Sequence, residues 1–533
     1  MSRDGRADSR GTRAAVLLGL LGVGVAVYWP RVAHAGFAWD DWEKAAEATF
    51  WSAFGPFDAR EAAYQPGLAA LLPLPHLAFG DHPSLHLALA SVLGVAMAFC
   101  VYLVLRELAV PAPISAAISV LALLFPWSDS VRLWATAGAS QVSVSLLLIG
   151  VALALRGLTE PTSSGSRSRR WSLVAYVLSM LTYPVTPALV GASTLLYRLR
   201  VPWRRAWEWG RQDLVAAVLI GIYVRLATTK PAQSVGDQLD HAWTILEEWA
   251  ALLAHAVMPF GDVPPGVVWA CAAGVALAGW AALRRDDADS ASNDRLTVGL
   301  ALVAVGLAAS LLAYVILVSA EAKYRPLAPG LYNRVGIGAG PGVATLVAGL
   351  AVTGVALLLR RGASRLAIDL AAAAVVTAIG VGWAGLVRDD EALWRRAAIE
   401  SERVLAALND PRLDIPDDAV VLTVGHPHSV APGVPVFGAS FDLEAAIKIR
   451  RGSETPKAYP LDVPLACAPR RAVPIDSAIR DLPSPAYGAL RIVDIERRRV
   501  WRVRSQTDCR RLGPLVAGRI QTESVMSTLP PAS

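Results

Sequence analysis

The sequence predicts an all-α polytopic membrane domain of about eleven transmembrane helices, followed by a small C-terminal α/β domain outside the membrane. Three observations carry that prediction. Of 533 residues, 54% are hydrophobic and only 18% charged, against about a quarter charged in a soluble protein. Mean hydropathy is +0.43, and the apolar residues come in runs long enough to cross a bilayer. From Arg388 onward the composition becomes that of a soluble domain. The net charge of +6 does not argue for nucleic acid, because the basic residues collect in short loops between apolar runs. Arginine far outnumbers lysine, as in GC-rich bacterial genomes, so the expected location is a bacterial cytoplasmic membrane.

The chain opens with a polar tail, residues 1–13, carrying Arg3, Arg6, Arg10 and Arg13. By the positive-inside rule this tail stays cytoplasmic. Ala14–Trp29 reads as the first span; a cleaved signal peptide is the rival reading, given the Ala33-His34-Ala35 triplet. Arg31 to Glu61 reads as an interfacial helix with Trp42, Phe50, Trp51 and Phe54 on one side. Tyr64 to Phe79, interrupted by Pro66, Pro73 and Pro75, reads as re-entrant or interfacial. Spans follow at Leu85–Leu105, Ile114–Phe125, Ala139–Leu155, Trp171–Thr182, Thr186–Tyr197 and Leu214–Thr228. A long external segment, Lys230 to Pro265, carries an amphipathic helix around Trp243 to Met258. The remaining spans are Val267–Leu283, Leu296–Val318, Val335–Leu359 and Ala367–Val387. Every arginine-rich loop then falls on one side, with the N-terminus inside and the C-terminal domain outside. That gives a transmembrane domain at 14–387, an external α/β domain at 388–516 and a flexible tail at 517–533.

In the external domain, Asp389 to Leu408 continues the last span as helix, with Trp394, Ile399, Val404 and Leu408 at helical spacing. Val420–Val424 reads as a buried strand and Val434–Phe437 as a short edge strand; Asp442 to Arg450 reads as a helix. Ala489–Glu496 and Val500–Arg504 read as a hairpin. Of four cysteines, Cys100 and Cys271 lie in spans and read as packing residues. Cys467 and Cys509 are the one pair in the external domain, where oxidation is permitted, and are expected to be bonded. No Cys/His cluster supports zinc, and His426-Pro427-His428 lacks a third ligand.

The stretch Phe37-Ala38-Trp39-Asp40-Asp41-Trp42-Glu43 carries the chemistry. It follows the first span, where a membrane helix meets water on the far side. Carboxylates at that level must be solvated, paired or bound to a cation. The order of features resembles the GT-C superfamily of membrane glycosyltransferases, in which an acidic motif lies in the first external loop. Tyr64-Gln65-Pro66-Gly67-Leu68 through Phe79-Gly80-Asp81-His82-Pro83-Ser84-Leu85-His86-Leu87 is similar to a segment of its bacterial and TPR-linked, O-mannosyltransferase-like branches. Phe125-Pro126 through Trp134 resembles their second external loop, and Leu331-Tyr332-Asn333-Arg334 a later one. The ordered pattern covers roughly residues 14–360. It departs from the branch at Gln65, where Arg is usual; at Ser128 and Ser130, where His and Glu are common; and at Tyr183-Pro184.

The resemblance implies an inverting transfer of a sugar from a polyprenyl-phosphate donor to an extracytoplasmic glycan, lipid or protein acceptor. Such transfer needs a base for the acceptor hydroxyl and positive charge for the phosphate leaving group. Asp40 and Asp41 are the expected catalytic carboxylates, with Asp41 able to hold Mg²⁺ or Mn²⁺. The rival reading has Asp40 capping the next helix, with Glu43 completing a capping box. Arg225, Lys323, Arg325 and Arg334 are the expected phosphate contacts, and Asp129 and His86 belong to a secondary, acceptor-side loop. The Gly336, Gly338, Gly340 and Gly342 run reads as close helix packing, with no strand before it to make a phosphate loop. The alternative function is a non-catalytic or transport protein of envelope polysaccharide assembly on the same scaffold.

Overall fold

The computed structural model describes residues 9–520, apart from 53–54, 56, 58, 161, 229–233, 261–263, 284–289, 362–363, 476, 478 and 480–481. Arg3, Arg6, Phe54, Lys230 and most of the expected C-terminal tail therefore lie outside the described residues. Helix α1 spans Arg10–Ala33, begun by Ser9, whose hydroxyl accepts from the Thr12 amide. The predicted tail is thus already helical from Arg10, because the serine cap satisfies one of the orphan amides of the first turn.

Helix α2 (Asp40–Ala46) and a π-helical turn, Glu47–Trp51, form the first segment after α1. Short helices α3 (Ala59–Tyr64), α4 (Pro66–Leu71) and α5 (Pro73–Phe79) follow. Pro66 and Pro73 each stand at a helix start, where a missing N–H costs nothing. Helix α6 (Pro83–Glu107) and the shorter α7 (Ala112–Leu124) come next. A one-turn helix α8 (Ser130–Leu133) then leads to α9 (Ser140–Thr159), α10 (Thr162–Thr182), α11 (Pro187–Gly191), α12 (Ser193–Arg198) and α13 (Trp203–Ala227).

Two expected loops are helical here. Helix α10 begins well before Trp171 and α13 well before Leu214, bringing Arg169 and Asp213 together at 2.8 Å. Ser193 and Tyr197 each donate to the same carboxylate at 2.7 Å. A buried charge with three such partners holds α10, α12 and α13 as one unit.

Amphipathic helix α14 (Val235–Val257) lies beside α15 (Pro265–Leu283), α16 (Ser290–Val315) and α17 (Gly340–Arg360). Helices α16 and α17 approach closely through small residues: a methyl built on Gly306 would meet the Leu346 amide nitrogen at 2.5 Å. Among the described residues, six helices are long and apolar enough to cross a membrane. The other five expected crossings fall on shorter, broken or less apolar pieces, with Thr186–Tyr197 split into α11 and α12. Cys271 is exposed, where the sequence had it as a packing residue; Cys100 is buried.

Helix α18 (Arg365–Leu408) runs 44 residues without a break, about 66 Å at 1.5 Å per residue. It carries the last span directly into the C-terminal domain. There β1 (Val420–Val424) is central, and β2 (Ser429–Ala431) and β3 (Val434–Pro435) form a small separate ribbon. Helix α19 (Ser440–Arg451) leads to β4 (Lys457–Pro460), followed by β5 (Leu465–Cys467), β6 (Ala472–Pro474), β7 (Leu490–Asp494), β8 (Arg499–Arg502) and α20 (Gln506–Ala517). The main sheet has the order β4-β1-β7-β8, with β1 parallel to β4 and β7, and β8 antiparallel to β7. Cys467 and Cys509 are bonded, with Cα atoms 5.8 Å apart, pinning α20 to β5.

Candidate active site

The site forms where three segments between helices of the membrane domain converge beneath the C-terminal domain, here called the outer domain. They are the segment entering α2, the loop 125–139, and the loop 320–339. Arg31, fully buried at the end of α1, shapes the first. Its guanidinium donates to the carbonyls of Leu133 (3.1 Å), His34 (3.2 Å) and Gly36 (2.8 Å). One side chain therefore satisfies the helix end and ties it to the second loop.

The two adjacent aspartates part company here. Asp41 is buried and spends both oxygens on the frame: Oδ2 accepts from the Ala38 amide at 3.1 Å. Oδ1 accepts from the Thr136 amide at 2.8 Å and its hydroxyl at 2.6 Å. Asp40 makes no cap; Trp39 holds that position at φ 53° with no side-chain cap bond. The capping-box reading of Asp40 and Glu43 is thereby corrected, and it is Asp41 that reaches back to the preceding turn. Oδ1 of Asp40 is buried without a hydrogen-bond partner among the described residues. Burial, then the negative charge of Asp41, holds the Asp40 carboxyl well above the usual carboxylate range, and Arg334 pulls it partway back.

Arg334 is the cation that faces Asp40. Its guanidinium lies over the rings of Trp134 (4.9 Å) and Tyr324 (5.8 Å), and it donates to the Tyr324 hydroxyl at 3.3 Å. Tyr183 is a further hydrogen-bond partner. Aromatic faces and hydroxyls hold the charge in place without neutralising it. Against the cost of burial, those hydroxyls and Asp40 raise its affinity for the proton. The other expected phosphate contacts differ. Lys323 pairs with Glu321 at 2.8 Å and lies over Tyr324 and Tyr332. Arg325 pairs with Glu248 of α14 at 2.8 Å, and Glu248 also accepts the Leu327 amide at 3.0 Å. These two fasten the loop that presents Arg334. Arg225 is exposed on α13 and makes no ion pair among the described residues, so it does not join the cluster.

Asp129 and His86 occupy two further corners. Asp129 is buried and accepts from the Asn333 side-chain amide at 2.7 Å, while Asn333 in turn accepts the Ser130 amide at 3.2 Å. Burial, then the neighbouring Asp390 carboxyl to which it is hydrogen-bonded, raises Asp129 well above the usual range. His86 contacts the Gly80 carbonyl through Nε2 at 2.9 Å and packs on Phe37, Phe79 and His76. Burial and the charge of His86 push His76 down to about 4.

Asp41, the expected metal ligand, has both oxygens engaged by hydrogen bonds. No group of three metal-ligating side chains gathers among the described residues. His426 and His428 are buried in the outer domain's interior, away from the cluster. His426 meets the Thr423 hydroxyl and the Pro427 carbonyl, and burial pushes it down to about 3.

Of the residues expected from the sequence, Asp40 and Arg334 face each other; Thr136 holds Asp41, Tyr324 holds Arg334, and Asn333 and Asp390 hold Asp129, roles that the sequence did not single out. Asn333, directly beside Arg334 in the chain, was the one with a usable signal. No protein family's sequence profile matches the chain, and no curated protein sequence matches it. Among solved structures, it is similar to ArnT from Cupriavidus metallidurans bound to undecaprenyl phosphate. That match has 13% identity and a TM-score of 0.36, covering 83% of this chain and 85% of the other. The apo state of the same protein gives 13% identity and a TM-score of 0.34 over 83% and 89%. The likeness is distant, and the chemistry rests on the geometry of this chain's own residues.

Proposed function

We propose that the chain is a membrane glycosyltransferase moving a sugar from a polyprenyl-phosphate donor to an extracytoplasmic acceptor, with inversion. The observation that carries this reading is the pairing of a bare, buried Asp40 oxygen with an aromatic-held Arg334. In the reaction, Oδ1 of Asp40 takes the proton from the acceptor hydroxyl. The freed oxygen attacks the anomeric carbon from the face opposite the phosphate. The bond from that carbon to the phosphate oxygen breaks, and the electron pair leaves on the polyprenyl phosphate. Arg334 meets the charge that develops there, and Lys323 lies one ring away. No step here is routed through a metal.

An apolar cavity of about 180 Å³ supports a lipid donor; it is lined by Leu253 and Val257 of α14, Trp269 of α15, Leu307 of α16 and Leu346 of α17. Helix α14 joins the two features, since its Glu248 grips the loop bearing Arg334 while its next turns line the cavity.

The test is transfer from undecaprenyl-phosphate-linked sugars by purified protein in nanodiscs. Asp40→Asn should cost about 10²–10⁴-fold in rate while leaving a folded protein. Asp41→Asn should act mainly through stability, since it weakens hydrogen bonds worth about 1 kcal/mol each. Wild-type rates in Asp40→Asn, or no transfer by the parent from any such donor, would leave the non-catalytic scaffold as the better reading.

A further inference from the structure

Asp40 and Arg334 come from opposite ends of the membrane domain. Each keeps a buried polar atom without a hydrogen-bond partner among the described residues, Oδ1 of Asp40 and Nε of Arg334. Loop 125–139 meets both segments from within the membrane domain, through Thr136 on Asp41 and Trp134 under Arg334, and a second brace comes from the outer domain. The outer domain touches both segments. On one side α19 packs along α2: Phe441 meets Trp39 edge-on at 5.5 Å, and Phe437, just before α19, lies 6.4 Å from Trp42. On the other side the turn between β2 and β3 grips the Arg334 loop, where the Leu331 amide donates to the Gly433 carbonyl at 2.8 Å.

The second contact is backbone on backbone. Gly330 and Gly433 have φ of 56° and 70°, a region that side chains rarely adopt. A methyl on Gly433 would lie 2.4 Å from the Pro329 carbonyl oxygen, and one on Gly330 would lie 2.2 Å from the Gly433 carbonyl oxygen. Only glycine at both places lets the two turns meet. The same outer domain is anchored from behind by Ser401 of α18, which donates to the Val436 carbonyl at 3.2 Å.

We infer that the outer domain is a positioning clamp, with Gly433 fixing the Arg334 loop and Phe441 fixing the Asp40 segment. Neither residue touches substrate; each acts through the group it holds. The inference rests on the glycosyltransferase reading for what the two groups do, but the clamp has its own readout. Ala328, 3% exposed, stands two residues before Gly330. In the full-length protein carrying Cys271→Ser, Ala328→Cys reports loop release by maleimide labelling. Gly433→Ala should raise its labelling rate about tenfold or more, as local opening does. The control is Gly488→Ala. That glycine also has a positive φ, 95°, and a methyl there meets nothing within 4 Å, so it strains the outer domain without touching the loop. It should leave Ala328→Cys labelling unchanged.

Kinetics should then split. Gly433→Ala should raise the donor KM, and Phe441→Ala should lower kcat with KM retained, while Phe441→Leu restores most of it. Equal Ala328→Cys labelling in Gly433→Ala and Gly488→Ala overturns the clamp whether or not the protein transfers sugar. Release by Gly433→Ala in a parent that transfers no sugar upholds the clamp and removes the enzyme reading.

Discussion

A carboxylate whose oxygens already accept three hydrogen bonds loses them when it takes a proton, whereas a carboxylate with a bare, buried oxygen does not. That difference separates Asp41 from Asp40, and nothing in the sequence of two identical neighbours reveals it. It also gives Asp40 a pH signature. Burial raises its proton affinity and Arg334 lowers it. Removing the cation should therefore move the acidic limb of kcat/KM to higher pH, since a base with a higher pKa stays protonated longer as pH rises. Arg334→Gln should show that upward shift together with a rate loss of about 10²–10³-fold, the usual cost of one charge-stabilising donor. A limb that stays put or moves down would disconnect the two residues. The sequence made both residues visible through their places after spans. Lys323 and Arg325 read as equals of Arg334 in the sequence, yet each has a carboxylate partner: Lys323 takes Glu321, two residues before it, whereas the Glu248 partner of Arg325 is set by tertiary contact.

Elements were legible in proportion to how far their burial is uniform. Long runs such as α6 and α17 announce themselves by hydropathy alone. The ends of α10 and α13 did not, because arginines and an aspartate there are paired across helices and read as loop when taken singly. Helix α14 was found as amphipathic, but not that its apolar side would wall a cavity with α15, α16 and α17. If that cavity holds isoprenoid, filling it should discriminate by chain length. Ala272→Trp, which builds into the lining, should raise KM for an undecaprenyl donor far more than for a short, water-soluble isoprenoid donor. Equal effects on both would place the lipid elsewhere.

At the scale of the whole molecule, the change in composition at Arg388 marks the outer domain, yet helix α18 passes through it unbroken. One side of the outer domain joins the membrane domain's core, and the other packs around a core of its own. The disulfide matters here. Closing 42 residues between Cys467 and Cys509 stabilises the domain by about 4 kcal/mol on the loop-entropy account. Reduction should speed amide exchange in β1 and β7 by roughly the matching two to three decades, while exchange in α17 stays slow. Uniform loosening of both would mean that the bond serves the membrane half as well. The contact between α19 and α2 has a consequence for how the protein is born. Asp40 leaves the ribosome about 400 residues before α19, the jaw that seats it on the clamp inference. Until α19 has been made, the nascent chain holds Asp40 and Arg334 unaligned, and fragments ending before it leave the pair apart however well their helices insert.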